Sequence, residues 1–152
     1  DSRMPNLIMQ ESIQDSILAE FQGYETIRRE ITYGASRLDF QLSGKPSVTY
    51  LETKCVNLVN EGIALFPDAP TQRGKRHLGT LQLIVEAGYR AAVVFVIQRS
   101  DAEGFKPNAA ADSDFAQALK AASCAGVDIY AYNCEVNLRE IRIADRVPVE
   151  VD

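Results

Sequence analysis

Tyr50-Leu51-Glu52-Thr53-Lys54-Cys55-Val56-Asn57-Leu58-Val59 is the stretch on which the reading of this chain turns. It is apolar enough for an interior strand, yet a carboxylate and an ammonium stand two residues apart within it. Successive side chains of a strand point to opposite faces, so Glu52 and Lys54 share one face and Thr53 takes the other. Glu-x-Lys is a common tripeptide, and alternating charges on an exposed strand usually pair only with each other. Inside an apolar strand the pair needs a further reason. Asp39, on the preceding strand of the pattern, supplies one, because an aspartate on a neighbouring strand can meet both. Two carboxylates with a strand carbonyl make a hard oxygen site suited to Mg2+ or Mn2+. A lysine beside it can orient or deprotonate water, or offset charge on a phosphate. Asp39, Glu52 and Lys54 are therefore the candidate catalytic residues, with Asp39 and Glu52 the candidate metal ligands. Such carboxylates repel each other without a cation, so at least one is expected to titrate above its ordinary range.

Around this pair the pattern predicts a first helix capped by Asn6 and running through Leu7, Ile8, Glu11, Ile13, Ile17, Leu18 and Phe21 until Gly23. Strands are expected over 24–33, 37–42 and 48–58, with Gly34 breaking the first from the second and Ser43-Gly44-Lys45-Pro46 as a turn. Short connections make these three an antiparallel meander. Pro67, Asp68, Pro70 and Thr71 open a second helix that runs to about Ala87, with Gly74, Leu78, Leu81 and Val85 on its buried face and Asp68 and Thr71 as cap-forming residues. Arg73 and His77, four residues apart, lie along one margin of that face. Ala91 to Ile97 is a fully buried strand, 99–111 a polar loop, and a third helix from Asp112 or Ser113 through Phe115, Leu119 and Ala122 precedes a strand over 127–132. The strand-helix-strand order predicts parallel pairing in a mixed sheet. The tail, with Ile141, Ile143 and Val147, reads as an edge strand or extension.

At 152 residues, with 46% hydrophobic and 24% charged side chains, the chain fits one globular domain, 1–152, and excludes disordered and fibrous classes. Its longest apolar run is too short to cross a bilayer, and Asp1-Ser2-Arg3-Met4-Pro5 lacks the features of a signal peptide. Three cysteines without a CxxC pair point to a reducing cytoplasm, and a lone histidine, His77, gives zinc little support. A net charge of −5 opposes general affinity for nucleic acid, so binding would rest on local basic residues: Arg73, Lys75, Arg76 and His77, with Arg37 near Asp39.

The order helix, three strands, helix, strand, followed by helix and strand, resembles the PD-(D/E)xK restriction-endonuclease-like core, an α/β fold of the α+β mixed-sheet kind. Closer still, Gly23-Tyr24, Ile27-Arg28-Arg29-Glu30, Tyr33-Gly34-Ala35-Ser36-Arg37 with Asp39-Phe40, Phe66-Pro67-Asp68-Ala69, Arg73-Gly74 with His77-Leu78, and Gln98-Arg99 with Asp101 resemble the bacterial sugar fermentation stimulation family, SfsA. The likeness covers nearly the whole chain. It implies a nuclease-like domain without the N-terminal OB-like domain that family members carry ahead of it. It also implies DNA binding without strong sequence preference, an influence on maltose and other sugar use, and a nuclease activity inferred from the fold. The alternative it leaves open is a DNA-binding regulator of sugar metabolism that does not cut. The superfamily further suggests Glu11, on the first helix, as an additional metal-binding acid.

Overall fold

In the computed structural model, which describes residues 4–15, 17–44 and 47–152, the expected meander follows a short helix. Asp1, Ser2 and Arg3 lie outside the described residues, as do Lys45 and Pro46 of the predicted turn. Helix α1 spans Met4–Gln14, and β1 (Tyr24–Tyr33), β2 (Ser36–Gly44) and β3 (Thr49–Val56) pair antiparallel in sequence. Then come β4 (Leu58–Asn60), β5 (Ile63–Phe66), α2 (Gln72–Glu86), β6 (Arg90–Ile97), β7 (Gly104–Pro107), α3 (Ser113–Cys124), β8 (Asp128–Val136) and β9 (Ile141–Val147). Strand β6 lies parallel to β3 on one side and to β8 on the other, while β9 returns antiparallel, so the main sheet reads β1-β2-β3-β6-β8-β9. This is the mixed α/β architecture that the element order predicted, with the tail resolved as an edge strand. Among the described residues no helix is long and apolar enough to cross a membrane.

Two departures from the sequence pattern affect the site. The first helix ends at Gln14 and not at Phe21, closing with the Ile17 N–H on the Ser12 carbonyl, a wide turn of the kind that ends helices. This break lets Leu18 and Phe21 drop into the core while Ile17, 57% exposed, turns outward; one continuous helix cannot do both. Asn6 lies inside α1, which begins at Met4, and donates to Asp39 instead of capping the helix. The second departure is a small sheet, β4-β5-β7, in a region read as strand end and polar loop. Its hairpin turns on Glu61 and Gly62, both at positive φ, and its strands are too short to show a period.

The main sheet is covered on both faces. One apolar cluster, under α2 and α3, gathers Leu78, Leu81, Ile84, Phe95, Phe115 and Leu119; the other, under α1, gathers Ile8, Met9, Phe40, Leu51, Val94 and Val96. Consecutive β6 residues thus feed opposite clusters, which is why that strand is apolar throughout. On α2, Gly74, Leu78 and Leu81 are buried as expected, but Ile84 and not Val85 completes the face.

The start of α2 is held by Thr71, whose Oγ1 accepts from the Gly74 N–H at 3.0 Å. Of the two predicted cap-forming residues Thr71 takes the role and Asp68 is exposed; Asp112 caps α3, accepting from the N–H groups of Phe115 and Thr71. Gly74 has no room for a side chain, because a Cβ there would meet Thr71 Cγ2 at 2.9 Å and the Phe115 ring at 3.1 Å. Alanine would gain about 1 kcal/mol of helix propensity, whereas overpacking against a capping residue and a buried ring costs about 1–3 kcal/mol. Gly74→Ala is therefore expected to lower the urea midpoint; a higher midpoint would show that the two helix starts do not pack as tightly as described.

Candidate active site

Between Glu30 and Asp39 the β1–β2 hairpin changes faces. Arg29 pairs with Phe40 and Ile31 with Leu38, but the intervening Glu30 and Asp39 drop out of the ladder, and Glu30 adopts φ 56°. A positive φ is strained for a side-chain-bearing residue and persists only when surrounding packing requires it. Here the packing does: Phe40, Leu42 and Ile27 belong to the cluster under α1, whereas Leu38, Ile31 and Tyr33 belong to the cluster under α2. Residues two apart on a regular strand share a face, so Leu38 and Phe40 can serve opposite clusters only if the backbone twists sharply at Asp39. At the same point β2 leaves β3, the last ladder pair being Phe40 with Leu51.

Asp39 fills the gap this opens. Its Oδ2 accepts the Thr53 N–H at 2.7 Å, replacing a lost ladder bond, and its Oδ1 accepts from Asn6 Nδ2 at 2.9 Å. Glu52 and Lys54 share a face as predicted, with Lys54 Nζ donating to Glu52 Oε2 at 2.9 Å. Glu52, 3% exposed, is also bonded through Oε2 to His77 Nδ1, and that nitrogen lies 2.9 Å from Lys54 Nζ. Glu52 Oε1 is buried and takes no hydrogen bond from an N–H, and the Asp39 carboxyl bonds to Glu52 only when it carries a proton. The three side chains read from the sequence thus converge, and α2 adds a fourth.

The electrostatics follow from the crowding. Burial, then the charge of Glu52 beside it, and then a hydrogen bond to Glu52 that the protonated form makes, push the Asp39 carboxyl up to about 7 against the lowering effect of the Thr53 N–H and Asn6. Burial also acts to raise Glu52, but the His77 hydrogen bond and the Lys54 charge outweigh it and hold that carboxyl at about 2. One acid of the pair is raised, as two adjacent carboxylates require. A cation suits this pair: the Oε1 of Glu52, which accepts from no N–H, and the raised Asp39 are both groups that a divalent ion would satisfy. Among the described residues no three His, Cys, Asp or Glu side chains form a metal-holding group. Two carboxylates alone would suit an ion such as Mg2+, which completes its shell with water and phosphate oxygens.

The remaining candidates separate. Glu11 lies over the far edge of the sheet, in a groove with Glu140, Ile141 and Arg142 of the β9 region, so α1 brings Asn6 and not Glu11 to the site. The cause is the helix's rotation, which sequence spacing leaves undetermined. His77 is buried beneath the carboxylates and cannot act as a surface contact. Arg73, one turn earlier on the same side of α2, is exposed. Lys75 and Arg76 open instead onto a groove shared with Asp112 and Asp114. Arg37, two residues before Asp39, is exposed and pairs with Glu30 at 2.8 Å.

This geometry accompanies an extensive likeness to known proteins. The profile of the sugar fermentation stimulation protein RE domain matches residues 3–140. The chain belongs to that family. Sugar fermentation stimulation protein homologs of Desulforamulus reducens and Moorella thermoacetica are 44% and 47% identical to it, over 99% and 90% of this chain and 63% and 60% of theirs. The solved structure of Pyrococcus furiosus SfsA in complex with Ca2+ superposes with a TM-score of 0.92 at 33% identity, over 97% of this chain and 64% of that one. The chain thus spans less than two thirds of the length of these family members.

The two carboxyls set opposite pH dependences. Asp39, raised from 3.8 to about 7, holds a proton when folded that the unfolded chain releases; its contribution is complete below about pH 4 and is lost as pH rises to about 7. Glu52, lowered from 4.5 to about 2, contributes above about pH 4.5 and loses that contribution as pH falls toward 2. In EDTA, the wild-type urea midpoint is expected to decline between pH 4.5 and 7.5 and Asp39→Asn to flatten the decline. Equal slopes in the two proteins would remove Asp39 as its source.

Proposed function

We propose that this chain is a divalent-cation-dependent phosphodiesterase domain that acts on DNA. The observation that carries the reading is the convergence of Asp39, Glu52 and Lys54 at the point where β2 parts from β3, with one buried Glu52 oxygen accepting from no N–H. The Ca2+ complex of the Pyrococcus furiosus relative supports it, because Ca2+ is a hard, oxygen-seeking ion of the same class as Mg2+ and Mn2+.

Asp39 and Glu52 would hold the cation, with the Thr53 N–H and Asn6 fixing the orientation of the Asp39 carboxylate. When bound, Mg2+ or Mn2+ would polarise the scissile phosphate and make its water a stronger nucleophile. The Lys54 ammonium, 14% exposed at the rim of the pair, is placed to steady that water or to offset charge growing on the phosphate. Exposed Arg37 and Arg73 flank Asp39 and His77 and would meet backbone phosphates. Contacts confined to backbone phosphates give binding without strong sequence preference.

The test is incubation with single-stranded DNA, double-stranded DNA and RNA in Mn2+ or EDTA, beside Lys54→Ala. Mn2+-dependent DNA cleavage is expected, reduced by about 10²–10⁴-fold in the variant. Binding without cleavage, unchanged in Lys54→Ala, would favour a regulator of sugar metabolism that does not cut. Calorimetry supplies a second measurement: Asp39→Ala and Glu52→Ala should each lose Mn2+ affinity, and unchanged affinity in both would end the site assignment.

A further inference from the structure

We propose that His77 is a positioning residue for Lys54, acting through its Nδ1 atom from beneath the carboxylates and not by touching nucleic acid. The catalytic half of this inference rests on the phosphodiesterase reading; the placement of the lysine does not. His77 is 2% exposed on α2, between Gly74 and Leu78, both buried against the core, and the Thr71 cap fixes the start of that helix. Its Nδ1 contacts Glu52 Oε2 and stands 2.9 Å from Lys54 Nζ, which itself lies 2.9 Å from the same oxygen.

The close contact between Nδ1 and Glu52 Oε2 sets the tautomer, because two acceptors do not approach one another in this way without a proton between them. With the proton on Nδ1, the ring donates to Glu52 and fixes the oxygen to which Lys54 is bound. The ammonium is thereby tied on its inner side. A lysine on a free four-carbon stem lacks that restraint. The arrangement also gives a role to a histidine that α2 buries together with Gly74, Leu78, Thr80, Leu81 and Ile84.

The test exploits atomic position within the side chain. Asparagine places an amide atom near Nδ1, whereas glutamine reaches the Nε2 position. His77→Asn should therefore retain the placement of Lys54 and His77→Gln should lose it. Acylation by an amine-reactive reagent, mapped by peptide mass spectrometry, should then be several-fold faster at Lys54 in His77→Gln than in wild type or His77→Asn, with Lys75, Lys106 and Lys120 unchanged. In cleavage assays, His77→Gln should lower kcat by about tenfold or more, as loss of a supporting partner does at comparable sites. Its KM should stay within twofold, and His77→Asn should recover most of the rate. Equal Lys54 labelling in all three proteins would overturn the proposal. If wild type does not cleave, the phosphodiesterase reading fails while the labelling still decides the placement of Lys54. Because His77 is the only histidine, the 15N spectrum of histidine-labelled wild type reports it alone, even if neither variant folds. Lys54→Met should shift Nδ1 more than Nε2, and an unmoved Nδ1 would also overturn the proposal.

Discussion

The switch of faces in the β1–β2 hairpin sets the geometry of everything near the cleft. Two apolar clusters, one on each side of the sheet, both draw on this hairpin: Ile27, Phe40 and Leu42 serve one, Ile31, Tyr33 and Leu38 the other. Satisfying both forces Glu30 to a positive φ and ends the β2–β3 ladder after Phe40. The backbone N–H of Thr53 then has no carbonyl opposite it, and the Asp39 carboxylate takes that role. Burial of apolar surface on the two faces thus determines where an acid must stand and leaves it beside Glu52.

Crowding two carboxylates has an energetic cost in the absence of a cation, and the surrounding residues offset only part of it. Lys54 and His77 both engage one oxygen of Glu52, leaving the other with no N–H to accept from. Asp39 bears the remainder as a raised affinity for protons. Charge is thus unevenly distributed over the pair, one acid firmly ionised and the other poised near neutrality. Such pairing of unlike carboxyl environments is a recurrent property of sites that bind cations or move protons.

Much of this was legible in the amino-acid pattern. The apolar run around Glu52 and Lys54 identified an interior strand, and the period of two placed both side chains on one face. The order of strands and helices gave the antiparallel meander and the parallel pairing of β6 with β8, because short connections and right-handed crossovers leave few alternatives. The length of α1 was not legible: Ile17, Leu18 and Phe21 continue a helical spacing, but only packing under the sheet shows that two of them enter the core by a different route. The small β4-β5-β7 sheet was hidden for a related reason, since strands of three and four residues carry too few positions to display a period.

Within the cleft the division is sharper. Local spacing was enough to put Glu52 and Lys54 on one face, because alternation along a strand is a property of neighbouring residues, whereas the twist in β2 is what carries Asp39 to them. The sequence reading misjudged His77 as a surface contact and Glu11 as a ligand, and it treated Asn6 as a helix cap. These assignments depend on how α1 and α2 are rotated against the sheet, a sum over many side-chain contacts from distant parts of the chain. Helical periodicity groups residues onto faces; the packing of whole elements decides which face meets the carboxylates.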